Sequence, residues 1–229
     1  MTQSVQDFSE QLADTVQTRS QHVIRIEGRP RHASSGIVWS REGYIVTANY
    51  AVEFESPIIV GLSDGERVSA ELVGRDHGTD IALLKITDEV ELSAPAWTSL
   101  EGLRLGHMLT VIARPGRTAR CAMGVVSTLS GRWQTPYGGF LDRYIQTDCL
   151  TRPGFSGGLV IDVHGMTIGM ITAGLLHRDH IVVPVSTVRD AVERILAGGG
   201  ELEGADEELF GERNSHRSEI LDESRDPDE

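Results

Sequence analysis

Apolar residues along the chain fall into short, β-branched runs of four to eight residues, broken by glycine, aspartate and other turn formers. The first series is His22 to Ile26, Ser35 to Trp39, Tyr44 to Thr47, Ile58 to Leu62, Val68 to Val73 and Ile81 to Ile86. A second series follows Gly106: Met108 to Ala113, Ala122 to Leu129, Tyr144 to Thr147, Gly158 to Ile161, Thr167 to Ala173 and His180 to Val183. Turn signals such as S-D-G and D-H-G-T separate the runs, where βαβ units would need long helical patterns. The pattern therefore predicts an all-β fold of two six-stranded antiparallel barrels, joined near Ala94 to Leu105.

Only the two ends break this rhythm. Residues 6 to 19 space Phe8, Leu12 and Val16 four apart, one stripe of a short amphipathic helix. From Ser186 to Leu196, Val188, Val192 and Ile195 share a face, Ser186 is the expected N-cap, and the glycines after Ala197 stop the helix. The expected organisation is an arm over 1–20, a body over 21–197 and a tail over 198–229. Within the body the barrels span about 21–95 and 105–185, and the closing helix 186–196.

Composition narrows the picture. With 39% hydrophobic residues in 229, the chain can bury a substantial core. No window approaches the roughly 18 consecutive apolar residues of a membrane-spanning helix. Met1 to Glu10 lacks the basic start and apolar centre of an export signal, so a cytoplasmic location is expected. Cys121 and Cys149 have no metal-ligand spacing and are expected as a pair of buried thiols; no metal or cofactor is expected.

The net charge of -13 is uneven: Glu201 to Glu229 carries twelve acidic residues against three arginines, hence -9, which leaves about -4 for the body. The tail is expected to be disordered by itself and to act as a solubilising segment; the alternative is that Leu209-Phe210 and Ile220-Leu221 are docking points and its charge grips a basic partner. Lys85 is the sole lysine, so the arginine-heavy usage reads as genome composition rather than phosphate recognition, and no nucleic-acid partner is expected.

The sharpest local signal is R-P-G-F-S-G-G-L-V, residues 152 to 160. A serine between glycines suits acyl transfer: small neighbours permit a tight bend, and the amides of Gly154 and Ser156 can converge on one oxyanion. Three more phrases accompany it in order: S-G-I-V-W-S-R-E-G-Y-I-V-T-A-N-Y-A-V (35 to 52), L-S-D-G-E-R-V-S-A-E-L-V-G-R-D-H-G-T-D-I-A-L-L-K-I (62 to 86) and G-V-V-S (124 to 127). Y-I-Q-T-D-C-L-T-R-P-G-F-S-G-G (144 to 158) contains the serine.

Together these phrases resemble the HtrA-type trypsin-like serine proteases, from about Asp7 to Leu196. The resemblance implies two perpendicular barrels with the active site in the cleft between them. It assigns Ser156 as nucleophile, Asp80 as triad acid, and the Gly154-Phe155-Ser156 loop as oxyanion hole. The family's T-x-N-H-V-V phrase reads Thr47-Ala48-Asn49-Tyr50-Ala51-Val52 here, so Tyr50 replaces the triad histidine.

That exchange matters chemically. The triad base must take the serine proton near neutral pH and return it to the leaving amine. A phenol of ordinary pKa about 10 is already protonated there. Losing a triad member typically costs on the order of 10⁴-fold or more. Phe155 where the family has a polar residue, and Leu159 where it has proline, suggest an oxyanion loop no longer tuned for catalysis. On that reading, Tyr50→His alone restores little activity. His177 and His180 follow the strand that would line the specificity pocket; His22, His32, His77, His107, His164 and His216 lie elsewhere, and none has the spacing of a replacement base.

The leading expectation is therefore a pseudoprotease that keeps its cleft to hold a protein or peptide partner. Ile171, Thr172, Ala173, Gly174 and Leu175 would offer a strand edge, and the loop from Asp148 to Phe155 would shape the first pocket. The 33 residues beyond Leu196 are too few for the PDZ module common in the family. Some relatives trimerise through N-terminal segments, and the Phe8, Leu12, Val16 stripe permits a homotrimer. The alternatives are an active endopeptidase in which another group activates Ser156, and a structural subunit with an unused cleft.

Overall fold

The computed structural model describes residues 5–54, 57–97, 102–176 and 179–199. Helix α1 (Val5–Ser20) leads into β1 (Val23–Glu27), β2 (Ser34–Val38), β3 (Tyr44–Ala48), β4 (Ile58–Gly61), β5 (Arg67–Asp76) and β6 (Ile81–Ile86). These six close into an antiparallel barrel in the order β1-β2-β3-β6-β5-β4. Then come β7 (Met108–Ala113), β8 (Arg120–Ser130), the two-residue strands β9 (Trp133–Gln134) and β10 (Phe140–Leu141), β11 (Tyr144–Thr147), β12 (Leu159–Asp162), β13 (Thr167–Thr172) and β14 (His180–Pro184). All but β9 and β10 form a second closed barrel, β11-β14-β13-β12-β7-β8. The two six-stranded barrels read from the sequence are thus present.

Many strands read as nearly unbroken apolar runs because both of their faces are covered. In β6, Ala82, Leu84 and Ile86 point into the first barrel, while Ile81 and Leu83 point the other way. Those outward residues meet Ile112, Leu159, Ile161, Met170, Ile181 and Val183 of the second barrel in one shared core. The interior of the second barrel is a separate cluster that includes Val111, Val126, Ile145, Phe155, Val160, Ile171 and Val182. Each strand's alternation of side chains therefore sorts residues between two dry interiors, and the groove between the barrels inherits a rigid floor.

Helix α2 (Val185–Arg194) seals this shared core with Val188, Ala191 and Val192. Its N-cap is Pro184, with no side-chain cap, and Ser186 falls inside the first turn. Proline's fixed φ, here -63°, already suits entry into a helix, so the expected Ser186 cap is not used. Helix α1 buries none of its residues fully, although Val16 packs against the shared core. Cys149 is buried, but Cys121 is exposed on β8, against the expectation of two buried thiols; β8 has one solvated face. Among the described residues no helix is long and apolar enough to cross a membrane. The acidic tail, with Leu209-Phe210 and Ile220-Leu221, lies outside the described residues, as do His177 and His216.

Candidate active site

Asp80 ends a tight turn, His77–Thr79, that links β5 to β6. It has φ 58° and ψ 44°, the left-handed region that few residues other than glycine tolerate, aspartate among them. Several contacts hold it there. The backbone N–H of Tyr50 donates to Asp80 Oδ1 at 2.8 Å, the Thr172 hydroxyl donates to Oδ2, and the Asn49 N–H donates to the Asp80 carbonyl at 3.0 Å. Asp80 is 4% exposed, so these bonds largely replace water around its charge.

Ser156 comes from the other barrel, on the turn before β12. Gly157, with φ 83°, makes that turn possible: a Cβ there would stand 2.7 Å from Thr47 Oγ1 and nearer still to the Ser35 carbonyl. The first barrel grips the turn through Ser35. Its N–H donates to the Ser156 carbonyl at 3.1 Å, and its hydroxyl donates to the Gly154 carbonyl at 2.8 Å while accepting from the Arg114 N–H at 2.8 Å. The Arg114 guanidinium is itself buried among the carbonyls of Val23, Arg117 and Ser20.

Tyr50, half-buried, reaches across the cleft and donates its phenolic proton to Ser156 Oγ at 2.6 Å. The N–H of Ala173 donates to the same oxygen at 3.2 Å. Burial raises the Tyr50 pKa above its ordinary value of 10, the nearby Asp80 charge pushes the same way, and the bond to Ser156 opposes them. The phenol therefore keeps its proton at neutral pH. An alcohol awaiting activation must donate to a base; here its partners are a phenol that keeps its own proton and the Ala173 N–H. Gly174 is matched to this arrangement, since a Cβ at that position would lie 2.6 Å from the Tyr50 ring.

Each remaining predicted residue has a definite place. Phe155 is 4% exposed in the core of the second barrel, with its N–H bonded to the Arg152 carbonyl at 3.1 Å. It therefore neither lines the cleft nor offers its amide to an oxyanion. Its apolar character anchors the loop, which removes the sequence-based reason for regarding that loop as detuned. Leu159 likewise packs in the shared core. Among the described residues, the N–H groups of Gly154 and Ser156 have no protein acceptor. Ile171 is not a free strand edge: it pairs with Val182 on one side and exchanges hydrogen bonds with Gly157 and Gly158 on the other. Thr172 and Leu175 are buried, which leaves Ala173 and Gly174 as the accessible stretch. Asp148 is exposed, and its carboxylate accepts the Val125 N–H at 2.6 Å, tying the loop to β8.

No imidazole among the described residues bonds to Ser156 Oγ. His77 meets the Asn49 amide at 3.0 Å, His22 the Ser93 carbonyl at 2.7 Å, and His180 the Thr151 hydroxyl at 3.0 Å. Nor do three His, Cys, Asp or Glu residues among them gather closely enough to hold a metal ion. Two functional contacts escaped sequence reasoning, the Ser35 grip on the serine turn and the Thr172 hydroxyl on Asp80. Neither carries a local signal, since each bridges residues more than ninety positions apart.

Comparison with known proteins bears on the fold and the family. Residues 34–170 match the trypsin-like peptidase domain family. A DegP-like periplasmic serine endoprotease of Rhizobium meliloti is 30% identical over 177 residues, covering 75% of this chain and 34% of the relative. The periplasmic serine endoprotease DegP of Salmonella typhimurium is 36% identical over 143 residues, covering 61% of this chain and 29% of that protein. The chain thus spans about a third of the length of these relatives. Among solved structures, Deg5 superimposes with a TM-score of 0.73 at 30% identity, covering 83% of this chain and 96% of Deg5. An HtrA-type protease solved with a tripeptide gives 0.71 at 30% identity, covering 82% and 64%.

The comparisons correct one expectation. Both curated relatives are named as periplasmic, against the cytoplasmic location inferred from Met1 to Glu10. That inference rested on an absent leader, and the first residues of a chain spanning a third of its relatives carry no such information. The barrels, the four ordered phrases and the family match together place this chain in the trypsin-like peptidase family, as a member of the HtrA-type group.

Proposed function

We propose that this chain is a pseudoprotease, an HtrA-type fold that holds an extended peptide or protein segment in its cleft without cleaving it. One observation carries the reading: the group 2.6 Å from Ser156 Oγ is the Tyr50 hydroxyl, a phenol that keeps its own proton, where catalysis requires a base. The acid, the nucleophile and the serine turn all keep ordered positions, so the lesion is confined to the base. The peptide ligand is supported by the accessible Ala173-Gly174 stretch beside Ser156 and by the tripeptide in an HtrA-type structural neighbour. The periplasmic names of the relatives make that compartment the working one for this chain. Assembly through the half-buried Phe8, Leu12 and Val16 stripe of α1 belongs to the same proposal.

An active endopeptidase is the competing reading, favoured by the endoprotease names of the relatives. A fluorophosphonate probe separates the two. We expect Ser156 to remain unlabelled while an active trypsin-like control reacts to completion, and unfolded casein to stay intact. Rapid labelling of Ser156 would overturn the reading. Ala173→Arg, which fills the accessible side of the cleft, abolishes peptide binding if the groove is the interface; binding that survives it points to a structural subunit instead.

A further inference from the structure

We propose that the disabled centre is a carboxylate receptor: it holds the free C-terminal carboxylate of a peptide whose main chain lies along Ala173 and Gly174. This inference rests on reading the cleft as a peptide-binding site without turnover. It follows from an inventory of donors and acceptors around Ser156.

In a working triad the base gives the site an acceptor, and the serine proton points at it. The phenol of Tyr50 reverses that polarity. The Tyr50 and Ser156 hydroxyls share one proton across 2.6 Å and the Ala173 N–H donates to Ser156 Oγ at 3.2 Å, so one hydroxyl proton of the pair is left to donate. In the serine loop the N–H groups of Phe155, Gly157 and Gly158 are bonded to the carbonyls of Arg152, Ile171 and Phe155. Those of Gly154 and Ser156 have no acceptor among the described residues, while the carbonyls of both residues are drawn onto Ser35. The result is three outward donors, two amides and one hydroxyl, beside the lone pairs of the Tyr50 oxygen.

A carboxylate is the complementary group, because it only accepts and offers about four lone-pair positions. A neutral carbonyl fills the same donors less strongly, since charge-assisted hydrogen bonds are roughly twice as strong. A terminal amide has the same disadvantage, because it carries no charge. The charges nearby are arranged to match. The Arg29 guanidinium lies 5.4 Å from the centre of the Tyr50 ring, and Arg152 is exposed on the serine loop. The opposing charges are Asp80, which is buried and accepts from the Tyr50 N–H and the Thr172 hydroxyl, and Asp148 at the far end of the serine loop, which accepts the Val125 N–H. An enzyme must release the carboxylate it makes; a site that makes none is free to retain one.

The test compares acetylated peptides Ala-Ala-Pro-X, X being Ala, Val, Leu or Phe, as free acids, as C-terminal amides, and extended by two further alanines. Binding to the full chain is measured by isothermal titration calorimetry, so the central contrast needs no variant. The acid of at least one X is expected to bind about tenfold or more tightly than its amide. Ser156→Ala is expected to narrow that ratio, because the charged acid loses more than the neutral amide when the hydroxyl donor is removed. Equal binding of acids and amides that is lost in Ala173→Arg overturns this inference and leaves the cleft reading standing. Binding of no peptide overturns both, and hydrolysis of the extended peptides overturns both by showing an active enzyme.

Discussion

Tyr50→Phe removes one oxygen atom and distinguishes donor from base. If the phenol only donates to Ser156 Oγ, its loss removes a hydrogen bond of 2.6 Å and leaves the Ala173 N–H on the serine oxygen. A single such bond contributes about 0.5–1.5 kcal/mol net. For a domain of this size, about 1 kcal/mol lowers Tm by roughly 2–4 °C. The serine gains nothing, because phenylalanine offers no proton acceptor either. Scanning calorimetry should therefore show the modest Tm loss, while fluorophosphonate labelling stays at the wild-type level. Since burial and Asp80 hold the Tyr50 pKa above 10, wild-type labelling should also stay flat as pH rises from 7 to 9. The opposite pattern would refute the reasoning: labelling that is measurable in the wild type, rises with pH and vanishes in Tyr50→Phe would make Tyr50 a tyrosinate base.

Other substitutions probe the scaffold. Phe155→Asp should unfold the chain rather than merely alter the cleft, because truncating a buried Phe already costs about 3–5 kcal/mol and an unpaired buried carboxylate adds to it; a soluble variant with native circular dichroism would contradict the core placement. Ser35→Ala strands the Arg114 N–H and the Gly154 carbonyl, a loss of about 2–4 kcal/mol, read as a lower urea midpoint. A change below about 0.5 kcal/mol would mean that Ser35 does not hold the serine loop. His22 is buried, and burial lowers its pKa below 6.5 against the opposing Ser93 carbonyl; half-buried His180 shifts the same way, against the charge of Asp179. The unfolded chain then binds more protons, so this stability is complete above about pH 6.5 and is lost as pH falls below it. Melting temperature should drop between pH 7 and 5, and less steeply in His22→Asn; an unchanged slope would discount His22.

The order of residues alone sufficed for those parts of this protein that are written locally. Period-two and β-branched runs fix which segments are strands, turn residues fix where they end, and the order of four phrases fixes the family. The exchange at position 50 was equally legible, because a phenol differs from an imidazole in any surroundings. Packing settled what required knowing which face of a strand points where. Phe155 reads as an intruder beside the nucleophile until its side chain is found in the barrel core, and Ile171 reads as an exposed edge until Gly157 and Gly158 are found bonded to it. Ser35, Thr172 and Arg114 have no local pattern, since their hydrogen bonds close loops of about ninety residues or more between the barrels. The Tyr50–Ser156 contact lies in the same category. Residue identity says that a phenol stands where the family's phrase has histidine, but only the packed cleft places that phenol on the serine.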